Sequence, residues 1–129
     1  MNLNRKNMPT ESELEILQII WQHGPSSVRF VNNLLNEQRE VGYTTTLKIM
    51  QIMTEKGLVS RDTSSRTHVY DAEVLEQDTQ HNLLNSFIKK TYRGSAMKLV
   101  MQALGQQKAS ADDIEKLKAI IEDIENQNK

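Results

Sequence analysis

Residues 43–61 carry the pattern that most restricts how this chain can fold. On a helical wheel with 100° between residues, their side chains separate into two opposite faces. The mostly apolar face consists of Thr46, Ile49, Met50 and Met53. The opposite, mostly polar face consists of Thr44, Leu47, Lys48 and Gln51. Gly57 suits the left-handed position that ends many helices. The stretch therefore predicts an amphipathic helix over residues 44–56, followed by a strand that begins at Leu58-Val59.

A helix of this kind has the properties of a recognition helix, the element that enters the DNA major groove. Its apolar face holds it in the domain, and short outer side chains let it approach the base edges. The pattern therefore predicts a DNA-binding protein. The residues that we expect to contact DNA from this helix are Thr44, Thr45, Leu47, Lys48 and Gln51.

Each of these side chains also has a simpler interpretation. Thr44 and Thr45 can cap the helix, which is compatible with contact to phosphate or bases. Leu47 can pack against the preceding helix or meet a thymine methyl group. Lys48 can be an ordinary solvated lysine. Gln51 suits bidentate contact with adenine, but it can equally be a solvated glutamine.

Two helices are predicted before the recognition helix. The first covers residues 10–22, with Thr10 or Ser12 as its cap and early glutamates at its positive end. Gly24-Pro25 ends it, because proline disfavours helical geometry in the residue before it. One of the serines at positions 26 and 27 caps the second helix. Its apolar stripe consists of Val28, Val31, Leu34 and Leu35.

After Gly57 the pattern becomes strand-like. Residues 58–61 and 67–70 predict two strands joined by a polar turn. Three helices and a two-stranded hairpin describe a winged helix, in which the hairpin (the wing) lies beside the DNA groove. Arg61 and Arg66 are the expected phosphate contacts of the wing, unless Arg66 is simply disordered in solvent.

Three further positions are candidates for contact with the DNA backbone. Arg29 lies early in the second helix, and Tyr43 lies at the start of the recognition helix. Tyr43 can instead pack within the domain, and the sequence does not separate these alternatives. Arg5 and Lys6 are weaker candidates in the leading segment.

From about residue 74 the pattern is helical to the end of the chain. A fourth helix stops near Gly94, a fifth covers residues 95–104, and Ser110 caps a sixth. Their apolar faces find no partner in their own half of the chain, which favours a core shared between two subunits. The residues predicted for dimerisation are Leu83, Leu84, Phe87, Ile88, Leu99, Val100, Leu117 and Ile121. The expected architecture is mainly α, with a winged-helix domain at residues 1–72 and a three-helix dimerisation domain at residues 73–129.

The charge of the chain is nearly balanced, with 16 basic and 17 acidic residues. Nucleic-acid binders often carry a basic excess, but local neutralisation of phosphates sets their affinity. Residues 42–70 carry four basic side chains against two acidic ones, a local charge of 4 − 2 = +2. The basic side chains of this segment are Lys48, Lys56, Arg61 and Arg66.

Several classes of function find no support in the sequence. The absence of cysteine excludes disulfides and thiolate metal sites. The three histidines lack metal-ligand spacing, and neither a nucleophile-elbow motif nor a phosphate-binding glycine loop is present. We therefore expect no enzyme, no metal and no cofactor. The absence of a signal peptide and of a membrane-length apolar run predicts a soluble, cytoplasmic protein.

The chain resembles the BlaI/MecI family of penicillinase repressors, which also includes copper-responsive members. The resemblance covers nearly the whole chain and depends on four segments. These are TESELEILQIIW at residues 10–21, YTTTLK at 43–48, EKGLV at 55–59 and FIKKTYRG at 87–94. It implies a homodimeric repressor whose winged helices each bind one half of a dyad-symmetric operator.

The resemblance also implies a way of releasing repression. In penicillinase-type members a membrane-bound sensor protease cuts the dimerisation half, usually at an Asn-Phe bond. The matching stretch here is residues 99–104, where Gln102-Ala103 is the candidate cleavage site, so either the protease specificity or the inducing signal differs. Copper-responsive members use C-terminal cysteine pairs, which this chain lacks.

Two other functions compete with operator binding. A winged helix can serve as a protein-interaction module, which the slightly acidic total charge and the outer Leu47 favour. A ligand-sensing regulator would need a pocket between the two halves, and no cluster of polar groups on an apolar face indicates one. We therefore expect no small-molecule ligand.

Overall fold

A computed structural model describes residues 8–106 and 110–127 of the chain. Its helices are α1 (Glu11–His23), α2 (Val28–Asn36), α3 (Tyr43–Glu55), α4 (Glu76–Tyr92), α5 (Ala96–Gln106) and α6 (Ala111–Gln127). Its strands are β1 (Ser26–Ser27), β2 (Val59–Asp62) and β3 (Val69–Ala72). The order confirms the predicted architecture of three helices, a β hairpin and three further helices. Arg5 and Lys6 lie outside the described residues.

The cap of α1 settles the choice between two predicted capping residues. The Thr10 hydroxyl accepts a hydrogen bond from the Glu13 backbone N–H at 3.2 Å, and the Glu13 carboxylate accepts one from the Thr10 backbone N–H at 2.8 Å. This reciprocal pair is a capping box, which satisfies backbone donors that a helix start leaves unpaired. The two bonds determine where α1 begins.

The core lies among α1, α2, α3 and the hairpin. The apolar faces predicted for the first three helices supply most of it, and β2 and β3 close it from the side. Its fully buried large side chains are Ile16, Leu17, Ile20, Val31, Met50, Met53, Leu58, Val59 and Tyr70. Ile49 and Leu47 pack against this core while remaining partly exposed.

The sheet contains a strand that the sequence analysis missed. Its order is β1-β3-β2, with antiparallel pairing throughout, and Ser26 and Ser27 pair with Tyr70 and Val69. Ser27 also caps α2 by accepting a hydrogen bond from the Phe30 backbone N–H at 3.1 Å. The hairpin strands begin and end one or two residues later than predicted. The short strand β1 therefore joins the start of α2 to the base of the wing.

The end of α3 has the form that Gly57 predicts. Gly57 has a φ of +80°, and its N–H donates to the Thr54 carbonyl at 3.1 Å. The Leu58 N–H reaches back to the Met53 carbonyl at 2.9 Å. These two bonds make a Schellman motif, which directs the chain from the helix into β2.

The described chain divides into two compact units, the first ending at Leu84 and the second beginning at Asn85. Because this division falls inside α4, the first unit includes the first half of that helix. A hydrogen bond from Trp21 Nε1 to the Val74 carbonyl at 3.0 Å holds the segment after the wing against α1. No helix of the described residues is both long enough and apolar enough to cross a membrane.

The C-terminal helices expose much of their apolar surface. Among the described residues, no two of α4, α5 and α6 share an extensive contact. Of the residues predicted for dimerisation, Leu84, Phe87, Val100 and Ile121 are 43–54% exposed. Leu83, Leu99 and Leu117 are half-buried. Ile88 differs, since only 9% of its surface is exposed.

Candidate nucleic-acid interface

A groove of about 410 Å³ lies on the first unit, between the start of α2, the outer side of α3 and the wing. Six of the nine residues that the sequence predicts for DNA contact line this groove. They are Arg29, Tyr43, Leu47, Gln51, Arg61 and Arg66. Ser27, Val28, Thr67, His68 and Tyr70 complete the lining. Ser27 and Tyr70, which are 43 positions apart in the chain, are thus brought to one concave surface.

The outer face of α3 is exposed at Thr44, Lys48 and Gln51, as the helical wheel predicts. Leu47 is half-buried and packs against the core, which favours the packing interpretation of this residue. Thr45 lies on another side of the helix, where it lines a depression with Val41 and other residues of the α2–α3 turn. The groove and the exposed outer face therefore form one surface, and Thr45 stands apart from it.

Among the described residues, no side chain caps the N-terminus of α3. Its N-cap residue is Gly42, so neither Thr44 nor Thr45 caps the helix. The backbone N–H groups of a first helical turn point along the positive end of the helix dipole, which attracts phosphate. An uncapped first turn beside exposed threonines is therefore chemically suited to a DNA phosphate.

Arg29 and Tyr43 form a pair at the groove. The Arg29 guanidinium carbon lies 4.6 Å from the centre of the Tyr43 ring, within the range of a cation–π interaction. This contact joins the first turn of α2 to the first residue of α3. Tyr43 is still 39% exposed, so it packs within the domain and also lies at the groove surface. The ring limits the positions that the Arg29 cation can take.

Side-chain hydrogen bonds shape the tip of the wing. The Ser64 backbone N–H donates to Asp62 Oδ1 at 2.9 Å, and the Ser65 hydroxyl donates to the Thr67 carbonyl at 2.8 Å. The first of these bonds lowers the pKa of the Asp62 carboxyl below its ordinary value. The two bonds tighten the turn that holds Arg61 and Arg66 on the same hairpin.

Lys56 does not belong to the basic surface, contrary to the charge count made from the sequence. Its ammonium donates to Glu13 Oε1 at 2.6 Å and to the Met8 carbonyl at 3.1 Å. Glu13 is 4% exposed, so the ion pair is mostly enclosed between α1 and the end of α3. Of the four basic residues between 42 and 70, only Lys48, Arg61 and Arg66 are exposed.

Two asparagines of α2 hold the turn before α3, and the sequence analysis missed both. Asn32 Nδ2 donates to Thr46 Oγ1 at 2.8 Å and to the Val41 carbonyl at 3.0 Å. Asn36 donates to the same carbonyl at 2.8 Å and accepts from the Val41 backbone N–H at 3.1 Å. One signal was present in the sequence, because Asn32 interrupts the apolar stripe of α2 between Val31 and Leu35.

The candidate cleavage site lies inside a helix. Gln102 and Ala103 are exposed residues of α5, with helical residues on both sides. Proteases prefer exposed, extended chain at loops, so cleavage there requires local unwinding of α5. Among the described residues, no group of three or more histidine, aspartate or glutamate side chains is arranged to hold a metal ion.

Comparisons with known proteins agree with this fold. The family model described as penicillinase repressor matches residues 9–123. The methicillin resistance regulatory protein MecI of Mammaliicoccus sciuri is 26% identical over 112 residues, covering 87% of this chain and 91% of that protein. The penicillinase repressor of Bacillus licheniformis is 24% identical over 120 residues, covering 93% of this chain and 94% of that protein.

A solved structure resembles the N-terminal part of the chain. The solution structure of the DNA-binding domain of the repressor BlaI superposes with a TM-score of 0.51 at 21% sequence identity. The match covers 59% of this chain and 93% of that domain. The likeness is one of fold, and it agrees with the winged helix of the first unit.

Proposed function

The chain belongs to the penicillinase repressor family, and on that premise we propose that it is a homodimer that blocks transcription by binding a dyad-symmetric operator. Members of the family are transcriptional repressors and not enzymes. Three points go beyond membership of the family: that the protein is a dimer, that its operator is symmetric, and which residues contact the operator.

The observation that carries the proposal is the continuous surface formed by the groove and the outer face of α3. Its exposed polar side chains, Thr44, Lys48 and Gln51, belong to the helix that would enter the major groove. Arg61 and Arg66 would contact the flanking phosphates from the wing, and Arg29 would do so from α2. The uncapped N-terminus of α3 supports a further phosphate contact.

The proposed dimer uses the second half of the chain. We assign residues 1–72 to DNA binding and residues 73–129 to dimerisation, with α4 connecting the two. Apolar side chains on α4, α5 and α6 are exposed in the single chain, and these helices share no extensive contact among the described residues. Such faces are stabilised when a second copy covers them, and a two-fold dimer matches a palindromic operator.

Relief by a membrane-bound sensor protease that cleaves Gln102-Ala103 is a further part of the proposal. The bond is exposed but helical, so α5 must unwind locally before it enters a protease site. The alternative function, a protein-interaction module without specific DNA binding, drew support from the outer Leu47. That support is weaker in the structure, since Leu47 packs against the core.

The proposal is tested by selecting genomic DNA fragments that bind the purified protein, using the wild type, Lys48→Ala and the exposed control Lys116→Ala on α6. We expect a dyad-symmetric motif for the wild type and the control. If Lys48 contacts a base, its loss should weaken binding to that motif by about 1–3 kcal/mol. If Lys48 contacts only phosphate, its loss should weaken binding to the motif and binding to random DNA by similar factors.

The salt dependence of binding separates the two candidate functions. True DNA binding should weaken steeply between low and moderate salt, because bound phosphates release counterions. A folded protein that yields no motif and is not retained on DNA at low salt would contradict operator binding. The outer face of α3 would then be assigned to a protein partner.

A further inference from the structure

We propose that Asn32 and Asn36 are positioning residues for DNA recognition: they hold the first turn of α3 where it can discriminate operator from random DNA, without contacting DNA themselves. The inference rests on the proposed function and deepens it. It names two residues outside the groove lining and outside the exposed face of α3.

Asn32 connects the inner sides of α2 and α3. It is 6% exposed, and its amide nitrogen donates both to Thr46 Oγ1 and to the Val41 carbonyl, at 2.8 and 3.0 Å. Thr46 is fully buried and lies one helical turn after Gly42. A buried amide that lost these partners would incur the cost of desolvation without compensation. The two bonds therefore define where Thr46, and with it the first turn of α3, sits against α2.

Asn36 holds the turn between the two helices closed. Its side chain accepts from the Val41 N–H at 3.1 Å and donates to the Val41 carbonyl at 2.8 Å, so it binds both polar groups of that residue. It also donates to the Asn32 carbonyl at 2.7 Å, one turn back in α2. Val41 is thus held by two asparagines from the preceding helix.

This support matters because α3 does not fix its own start. Its N-cap is Gly42, which provides no side-chain hydrogen bond and has no side chain to pack. The position of Tyr43, Thr44 and Thr45 relative to the rest of the domain therefore depends on bonds that come from α2. Sequence patterns of α3 alone do not contain this information.

A small displacement of the first turn should affect specific and non-specific binding differently. Hydrogen bonds to base edges work within a range of about 2.7–3.2 Å, so a shift of about half an ångström weakens them. Attraction between cations and phosphates extends over about 10 Å at 0.1 M salt and tolerates the same shift. Loss of the asparagine bonds should therefore reduce operator affinity much more than affinity for random DNA.

The test compares full-length wild type with Asn32→Leu, Thr46→Val and the double variant, with Asn33→Ala as control. Thr46→Val is the milder change: it removes the hydroxyl that accepts from Asn32 and donates to the Gly42 carbonyl at 3.4 Å, while Asn32 keeps its bond to Val41. Asn33 is the exposed neighbour of Asn32 on α2. Affinities are measured for the selected operator motif and for a random duplex, well below the melting temperature of every variant. We expect Asn32→Leu to bind the operator about 10-fold more weakly than the wild type, a change that corresponds to about 1.4 kcal/mol. Its affinity for random DNA should fall less than about 2-fold.

The remaining variants refine the result. Thr46→Val should show a smaller loss of the same kind, because Asn32 keeps its bond to Val41, and the double variant should lose less than the sum of the two. Asn33→Ala should match the wild type. The positioning role would be overturned if the variants were less stable but still preferred the operator over random DNA as strongly as the wild type does. It would also be overturned if they lost affinity for the operator and for random DNA equally. A wild type that does not discriminate would overturn the proposed function itself, before any variant is examined.

Discussion

The ion pair between Lys56 and Glu13 allows a prediction that separates folding from DNA contact. The pair joins the start of α1 to the end of α3 through a 2.6 Å hydrogen bond, and its side chains are 22% and 5% exposed. From the sequence, Lys56 belongs to the basic segment that would meet phosphates. In the structure it is engaged inside the domain. We therefore expect Lys56→Met to lower stability while leaving the electrostatics of DNA binding unchanged.

The expected magnitude follows from the surroundings of the pair. Removing one partner of a fully buried ion pair costs about 3–5 kcal/mol, because the other charge stays buried. Here Lys56 is partly solvated, and the Glu13 carboxylate keeps its bond to the Thr10 N–H. We therefore expect a loss of about 2 kcal/mol in the free energy of unfolding, which corresponds to about 10 °C in Tm for a unit of this size.

Two measurements test this reasoning. Denaturant unfolding of Lys56→Met, Glu13→Gln and the double variant gives the coupling between the side chains, which we expect to be about 1–2 kcal/mol. Glutamine can preserve the capping box while it removes the charge of Glu13, so this cycle measures the charge interaction between the two side chains. The salt dependence of binding to random DNA should be unchanged in Lys56→Met. In the comparator Arg66→Ala, the slope of log affinity against log salt concentration should become shallower by about 0.9. If Lys56→Met made the salt dependence of DNA binding shallower, or if the coupling between Lys56 and Glu13 were near zero, the internal role of Lys56 would be refuted.

Two further predictions concern the groove and the proposed dimer. Tyr43→Ala should reduce operator affinity about 3-fold, because Arg29 loses its cation–π partner. Tyr43→Phe keeps the ring and should bind the operator within about 2-fold of the wild type. Equal losses of affinity for the two variants in a filter-binding assay would exclude a role for the ring face. Val100→Glu places a charge on the exposed apolar face of α5 and should raise the dimer dissociation constant by at least about 100-fold. Sedimentation equilibrium measures this change, and an unchanged dimer would remove α5 from the interface.

Short-range features of the fold follow closely from the sequence. The two faces of α3, the cap at Thr10 and the helix end at Gly57 all depend on residues within one or two turns of each other, where helical periodicity and capping chemistry act. The wing was predicted as a hairpin, although its strands begin one or two residues later. Strand limits depend on pairing with another segment, so local patterns place them less well.

Several features that required the structure join distant parts of the chain. Ser26 and Ser27 form β1 only because Val69 and Tyr70 reach them, 44 and 42 positions later. Lys56 is withdrawn from the basic surface by Glu13, which is 43 positions away. In both cases the side-chain or strand chemistry is visible in the sequence, but the identity of the partner is not.

The sequence by itself determined which helix could face DNA, because amphipathic periodicity is a property of consecutive residues and needs no knowledge of their neighbours in space. The tertiary structure decided which of the predicted residues share a surface, and how the first turn of α3 is held there by Asn32 and Asn36. The physical reason is that a hydrogen bond or an ion pair depends on distances of a few ångströms. Those distances between remote residues are set only when the core packs.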